Sequence, residues 1–480
     1  MVNPYADLDK RIFGEVYGST ETMDNLVVLC DDYNSRWPGS GDDLKACEYM
    51  AGKLEEYGLE DVHLEPLTLP GWNRGSSRLV VTSPVERKIP CIALPHSASG
   101  SIEADLVFLG DGPIDIYEKR REEIEGNIVM VTSRTPAGMT RSLHRNEKFQ
   151  RSVLAGAEGW IFMNHYPTYG PPTGGISPII PSLGVSYEDG CYLTRLLKRK
   201  GEVKVRIETE CENVDVESYN VVADIPASNE EEKVIYGGHY DGHDIAVGAL
   251  DDATGAVCVM EVARVLAKER ENLKRSIRFI LFAAEEIGLY GSRAYVAEHG
   301  DEMGDVRFML NFDGAGRAGR QGFGLHGWSD LEHFFEEVAR IVGVDIPISQ
   351  GVSPYSDHWP FLLKGVPTSG MGDPEEARRR GGRGYGHTMH DTVDKANLRA
   401  QRECVANSAL AAVRILNTDN WPVVHRGQEE IEKLVHGRGY DETLALGAML
   451  REYLAGKEGD LRPEAKAYLK RLTATWEESI

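Results

Sequence analysis

Residues 237–255 read GGHYDGHDIAVGALDDATG and set His239, Asp241, His243, Asp244, Asp251 and Asp252 between an apolar strand and an apolar helix. Carboxylates crowded beside an apolar core repel one another and lose solvation, so at neutral pH they take up protons or bind cations. The segment therefore reads as half of a metal site. Later strand ends supply the other half: Glu285 and Glu286 close the run RFILFAA, Asp313 closes 307–312, and a histidine follows in GYGHTMHDT. His239 with Asp251, Glu286, Asp313 and one later His forms a set of imidazole nitrogens and carboxylate oxygens suited to two zinc ions, which one carboxylate can bridge.

Taken singly, these residues have plainer readings. Asp251 and Asp252 suit caps for the next helix, Asp244 suits a turn, and paired acids such as Glu285 and Glu286 commonly start helices. The convergence of all the strand ends favours the metal. Asp241 lies two residues past His239 on an extended segment, so the two side chains share a face and the carboxylate can orient the imidazole. Glu285 and Glu286 point apart, which permits one ligand and one general base. His387 is the candidate for the last ligand, with His390 as the alternative; His243 reads as a polar neighbour. Residues 314–319, GAGRAG, match a dinucleotide pattern, but no amphipathic helix follows, and the stretch reads as a flexible loop. Arg378, Arg379, Arg380 and Arg383 either grip a substrate carboxylate or balance nearby acids, and Ser356-Asp357-His358 either lines the pocket or caps a turn.

The elements that must hold these groups alternate. Strands at 234–238, 278–284 and 307–312 flank a helix at 253–267 that is apolar on most faces, a pattern that predicts a doubly wound, mostly parallel α/β sheet with helices on both faces. In such sheets ligands bind beyond the carboxyl ends of the strands. Short apolar runs at 78–81, 104–109, 127–131, 159–163 and 203–207, separated by Gly, Pro and Ser, predict a β-rich module. The expected organisation is an α/β core at 1–98 and 211–420, an insert at 99–210, and a helical extension at 421–480 that covers the core or mediates self-association, with Leu446, Met449, Leu450 and Tyr453 on one side.

Composition narrows the partners. A net charge of -23 over 480 residues argues against nucleic acid and anionic membrane. The first eighteen residues lack a signal-peptide core, and seven scattered cysteines without a CxxC pair suit reduced thiols, so a cytoplasmic protein is expected.

The order His239-x-Asp241, Gly248 to Gly255, Ala284-Glu285-Glu286-x-Gly288-Leu289-x-Gly291-Ser292, Asn311-x-Asp313, Ser356-Asp357-His358 and His387-Thr388-x-x-Asp391-Thr392 resembles the co-catalytic di-zinc exopeptidases, which include leucyl-type aminopeptidases and glutamate carboxypeptidases. The turn from Arg36 to Gly41 looks like that family's amino-terminal segment, and the 99–210 module is similar to a protease-associated domain. The resemblance implies that Asp251 bridges two zinc ions, that His239 and Asp313 complete one, and that Glu286 and His387 complete the other. It implies Glu285 as general base, Asp241 as the partner orienting His239, and a cis peptide after Asp251. The expected activity is hydrolysis of a terminal peptide bond, foremost as an aminopeptidase. The alternative is a carboxypeptidase or amidohydrolase acting on N-acylated amino acids or dipeptides. A glutaminyl cyclase fits less well because of the insert, and a non-catalytic relative because every ligand and the base are present.

Overall fold

The computed structural model describes residues 3–374 and 384–477, so Arg378, Arg379, Arg380 and Arg383 lie outside the described residues. The chain forms two compact units. The first comprises Met1–Leu69, Val216–Gly386 and His390–Val435; the second comprises Pro70–Asp215, His387–Met389 and His436–Ile480.

The first unit is built on a mixed sheet whose described strands are β1 (Glu60–Asn73), β2 (Glu212–Ile225), β3 (Asn229–His239), β4 (Arg275–Phe282), β5 (Val306–Asn311), β6 (Gly322–Leu325), β7 (Ile348–Gln350) and β8 (Thr368–Gly372). Their spatial order is β1-β2-β4-β3-β5-β8-β6-β7. The central pairs β3–β4, β3–β5 and β5–β8 are parallel, and β2 runs antiparallel to β4. The central strands are continuous apolar runs because both sheet faces are covered. On one face Ile235, Ile280, Phe282 and Met309 pack with Tyr295 and Val296 of a helix at Tyr290–Glu298 and with Phe361 of another at His358–Leu363. On the other face Tyr236 donates its hydroxyl to the Ser408 carbonyl at 3.2 Å, in the long helix Leu398–Asn417, which packs on the fully buried helix Thr254–Ala267. Each such aliphatic or aromatic side chain contributes roughly 1.5–3 kcal/mol by leaving water.

Register then fixes where the chemistry falls. His239 is level with Phe282 of β4, and Gly237 with Asn311 of β5, so residues just past 239, 282 and 311 emerge together at the carboxyl edge. The three strands begin five, three and one residues before the expected 234, 278 and 307, because polar flanks such as Lys233 and Arg275 still join the ladder.

In the second unit, strands Gly100–Phe108, Ile128–Thr132, Gly159–Met163 and Ser182–Val185 run parallel, and Ser77–Ser83 and Lys204–Thr209 close one side antiparallel. A helix at Arg145–Leu154, unmarked in the sequence by any strong apolar period, packs Phe149 edge-on against Trp160 at 5.5 Å. The tail forms helices at Gln428–His436, Asp441–Ala455 and Pro463–Glu477. Its buried line is Leu446, Leu450 and Leu454, while Met449, expected on the same side, is exposed: a spacing of four keeps residues on one helical stripe and 449 falls off it. No described helix is long and apolar enough to cross a membrane.

Candidate metal centre

His239 ends β3 and is buried. Its Nδ1 lies 3.0 Å from the Asp241 carbonyl and 3.4 Å from the Asp241 carboxylate, while Nε2 faces Asp251 Oδ1 at 3.9 Å. This arrangement fixes the tautomer: one nitrogen is held by the protein, the other directed at the acids. Asp241 does more than touch the ring. Its two oxygens accept the backbone N–H groups of Glu285 and Glu286 at 3.0 and 3.2 Å. Those amides follow Ala284, which takes a left-handed φ of 55°, so Asp241 clamps the turn that turns both glutamates into the site.

Asp251 and Asp252 precede the helix Thr254–Ala267 in non-helical backbone, joined by a cis peptide bond. Three groups frame this segment. The Asp391 carboxylate accepts the N–H groups of Leu250 and Asp251 at 2.7 and 3.1 Å. Arg36, fully buried, donates to the carbonyls of Tyr240, Val247 and Gly248 at 2.6, 2.9 and 3.0 Å. Arg317 bonds Asp251 directly at 2.5 Å. Gly255 admits the Asp252 side chain, since a Cβ there would lie 2.1 Å from Asp252 Oδ2. Asp252 in turn accepts the Gly314 N–H at 2.9 Å.

Two trios meet at the strand ends: His239, Glu285 and Asp313, and Asp251, Asp252 and Asp313, each offering donor atoms within 4.8 Å of one another. Glu286 has His243 Nε2 at 2.9 Å from its carboxylate, so His243 stands closer to the chemistry than a polar neighbour would. His387 belongs to the second unit, where its Nδ1 lies 3.2 Å from the Thr173 carbonyl and its own carbonyl accepts the Thr173 N–H at 2.9 Å.

The electrostatics are those of a cation site. Burial, reinforced by Asp313, Glu286 and Asp357, pushes the Glu285 carboxyl well above its ordinary range, against the pull of His239. Burial likewise raises Asp252, with Asp313 and Asp251 adding to it, and lifts Asp357 to about 7. Burial opposes protonation of His239, but the Glu285 charge and the Asp241 bond outweigh it and raise the imidazole well above its usual value. Acids that hold one another's protons in place, grouped with imidazole nitrogens, are the donors zinc takes.

The sequence reading gave no role to Arg317, Arg36 or Asp391 and left Asp357 open. Arg317 lies inside the rejected GAGRAG match. The cue available for the others was their placement in the motifs at 36–41, 356–358 and 387–392.

A mixed sheet with buried acids and histidines at its carboxyl edge places a candidate metal site where such sheets bind ligands. Residues 220–412 match the model of peptidase family M28. Carboxypeptidase Q of Bos taurus is 28% identical over 325 residues, 64% of this chain and 68% of the relative. Probable leucine aminopeptidase 2 of Aspergillus oryzae is 25% identical over 371 residues, 73% of this chain and 71% of the relative. Among solved structures, a peptidase M28 precursor from Shewanella amazonensis is similar with a TM-score of 0.73 at 25% identity, covering 88% of this chain and 98% of that one.

Proposed function

We propose that the chain is a zinc-dependent aminopeptidase, with His239 and Asp313 holding one ion, Glu286 contributing to the other, and Asp251 shared. The observation that carries this is the meeting of His239, Glu285, Asp251 and Asp313 donor atoms at the carboxyl edge of one sheet. When bound, the ions supply Lewis acidity at the scissile carbonyl and its attacking water. Glu285, raised in pKa among its neighbours, takes the proton from that water and returns it to the leaving amine. Asp241 holds His239 by its Nδ1 and fixes the backbone of both glutamates. The aminopeptidase assignment rests on the surplus of acids, Asp252 and Asp357 among them, which suits a substrate ammonium; Arg317 is engaged with Asp251.

Similarity to carboxypeptidase Q supports a second reading, a carboxypeptidase or amidohydrolase of dipeptides or N-acylated amino acids. A panel of short peptides, blocked at one end or the other and assayed with and without chelator, separates the two. Chelator-sensitive cleavage that requires a free amino terminus is expected; cleavage that survives amino-terminal blocking overturns the aminopeptidase reading.

The same proposal takes the β-rich part of the second unit as a protease-associated domain and places the protein in the cytoplasm. Seven free cysteines suit a reducing compartment.

A further inference from the structure

We propose that Arg317 is a positioning residue that sets the Asp251 carboxylate and balances the acid beside it. This rests on the reading of Asp251 as the shared ligand. Arg317 is 7% exposed. Its Nη2 lies 2.5 Å from Asp251 Oδ1, 3.4 Å from Asp313 Oδ1 and 3.9 Å from Asp252 Oδ1, and its Nε donates to the Leu250 carbonyl. One rigid fork thus holds both the side chain of Asp251 and the backbone immediately before it, a pairing that a lysine point charge does not reproduce.

The loop carrying Arg317 is shaped to deliver it. Asp313 leaves β5, and the chain curls through Gly314, Gly316 and Gly319, whose φ values are 84°, 69° and 70°, so that residue 317 returns to residue 313 and reaches 251. At Gly316 a Cβ would also stand 2.9 Å from Cys258 Sγ in the helix Thr254–Ala267, so the curl is seated against the helix that follows Asp251 and Asp252. The Gly314 N–H and the Arg317 fork then address neighbouring carboxylates, Asp252 and Asp251 respectively. The charge balance follows. With Asp251 and Asp313 given to metal, Asp252 is a buried acid left over, and Arg317 is the cation beside it. A carboxylate shared by two ions needs both oxygens aimed, and a fixed donor on one oxygen limits rotation about its last bond.

The test compares wild type, R317M, R317K and D251N by zinc titration against a competing chelator and by the visible absorption of the cobalt-loaded proteins. Loss of an outer partner of a metal ligand weakens metal binding by about 10- to 100-fold. R317M is expected to show that loss with displaced cobalt bands, and R317K, which keeps the charge without the fork, an intermediate loss with bands near wild type. Unchanged zinc affinity and bands in R317M, or tighter zinc binding, overturn the proposal. Should R317M not fold, R317K decides on zinc affinity alone, an unchanged affinity overturning it. D251N separates the premises: full zinc affinity in D251N overturns the shared-ligand reading and this proposal with it, whereas impaired D251N beside unaffected R317M overturns the Arg317 role alone.

Discussion

Replacing Asp241 by Asn removes one charge at nearly constant volume from the residue that ties β3 to the Glu285–Glu286 turn. In the native site its two oxygens accept amide protons at 3.0 and 3.2 Å. Asparagine keeps one acceptor and turns an NH2 group toward the other amide, so one buried N–H loses its partner. A buried donor left unsatisfied costs about 1–3 kcal/mol. At about 1.4 kcal/mol per tenfold, that is roughly a 5- to 150-fold effect. The cost falls on the proposed base Glu285 and the proposed ligand Glu286 because the turn begins at Ala284, whose left-handed backbone is intrinsically unfavourable by roughly 1–2 kcal/mol and relaxes once the clamp is weakened. D241N should therefore lose zinc affinity and kcat/KM together, measured by chelator competition and by hydrolysis of the best unblocked peptide. Wild-type zinc affinity with wild-type kcat/KM would refute the clamp, since the two amide bonds would then have no bearing on the site.

Four further outcomes are expected. E285Q should retain its zinc, by elemental analysis, while kcat falls about 10²- to 10⁴-fold, the usual contribution of a positioned base; full activity would remove Glu285 from that role. H243F keeps a ring near Trp37, whose centroid is 5.8 Å from that of His243, but removes the nitrogen beside Glu286, so zinc affinity should drop by about tenfold or more while the fold persists by circular dichroism. Bonds from His299 and Lys233 hold the Glu302 carboxyl down from 4.5 to about 2. That stabilisation is full above pH 4.5 and is lost as pH falls toward 2, so melting curves of E302Q should vary less with pH across this window than those of wild type. I280A, at the buried centre of β4, should lower unfolding free energy in urea by roughly 2–5 kcal/mol.

The placement of His239, Glu285, Glu286 and Asp313 at one edge was legible because each follows an apolar run whose end can be located from sequence alone, and the edge rule for such sheets brings those ends together, whereas Asp251 was marked by standing just before an apolar helix. Arg317 was hidden for the opposite reason. Its partners lie 66 residues back at Asp251 and only four back at Asp313, and a Gly-rich stretch gives no local sign that it curls instead of drifting. Asp391 acts on backbone amides 140 and 141 residues away, a pairing that no local pattern encodes. The strand at Ser77–Ser83 shows the same limit: it was visible as a strand, but its pairing with Lys204–Thr209 follows only from the fold.

The core of the second unit has a consequence for synthesis. Phe149, Trp160 and Phe162 share one cluster with Leu450, Leu454 and Leu469, and Arg151 and Ser177 bond Glu442 and Tyr468 at 3.0 and 2.9 Å. Its two halves are separated by most of the chain, so vectorial folding on the ribosome leaves this apolar surface open while the intervening residues are made. During that interval the parallel strands from 100 to 185 are exposed to chaperones and to one another in neighbouring nascent chains. Ending translation before residue 441 should therefore yield an aggregation-prone product even though every residue of the proposed zinc site has been synthesised.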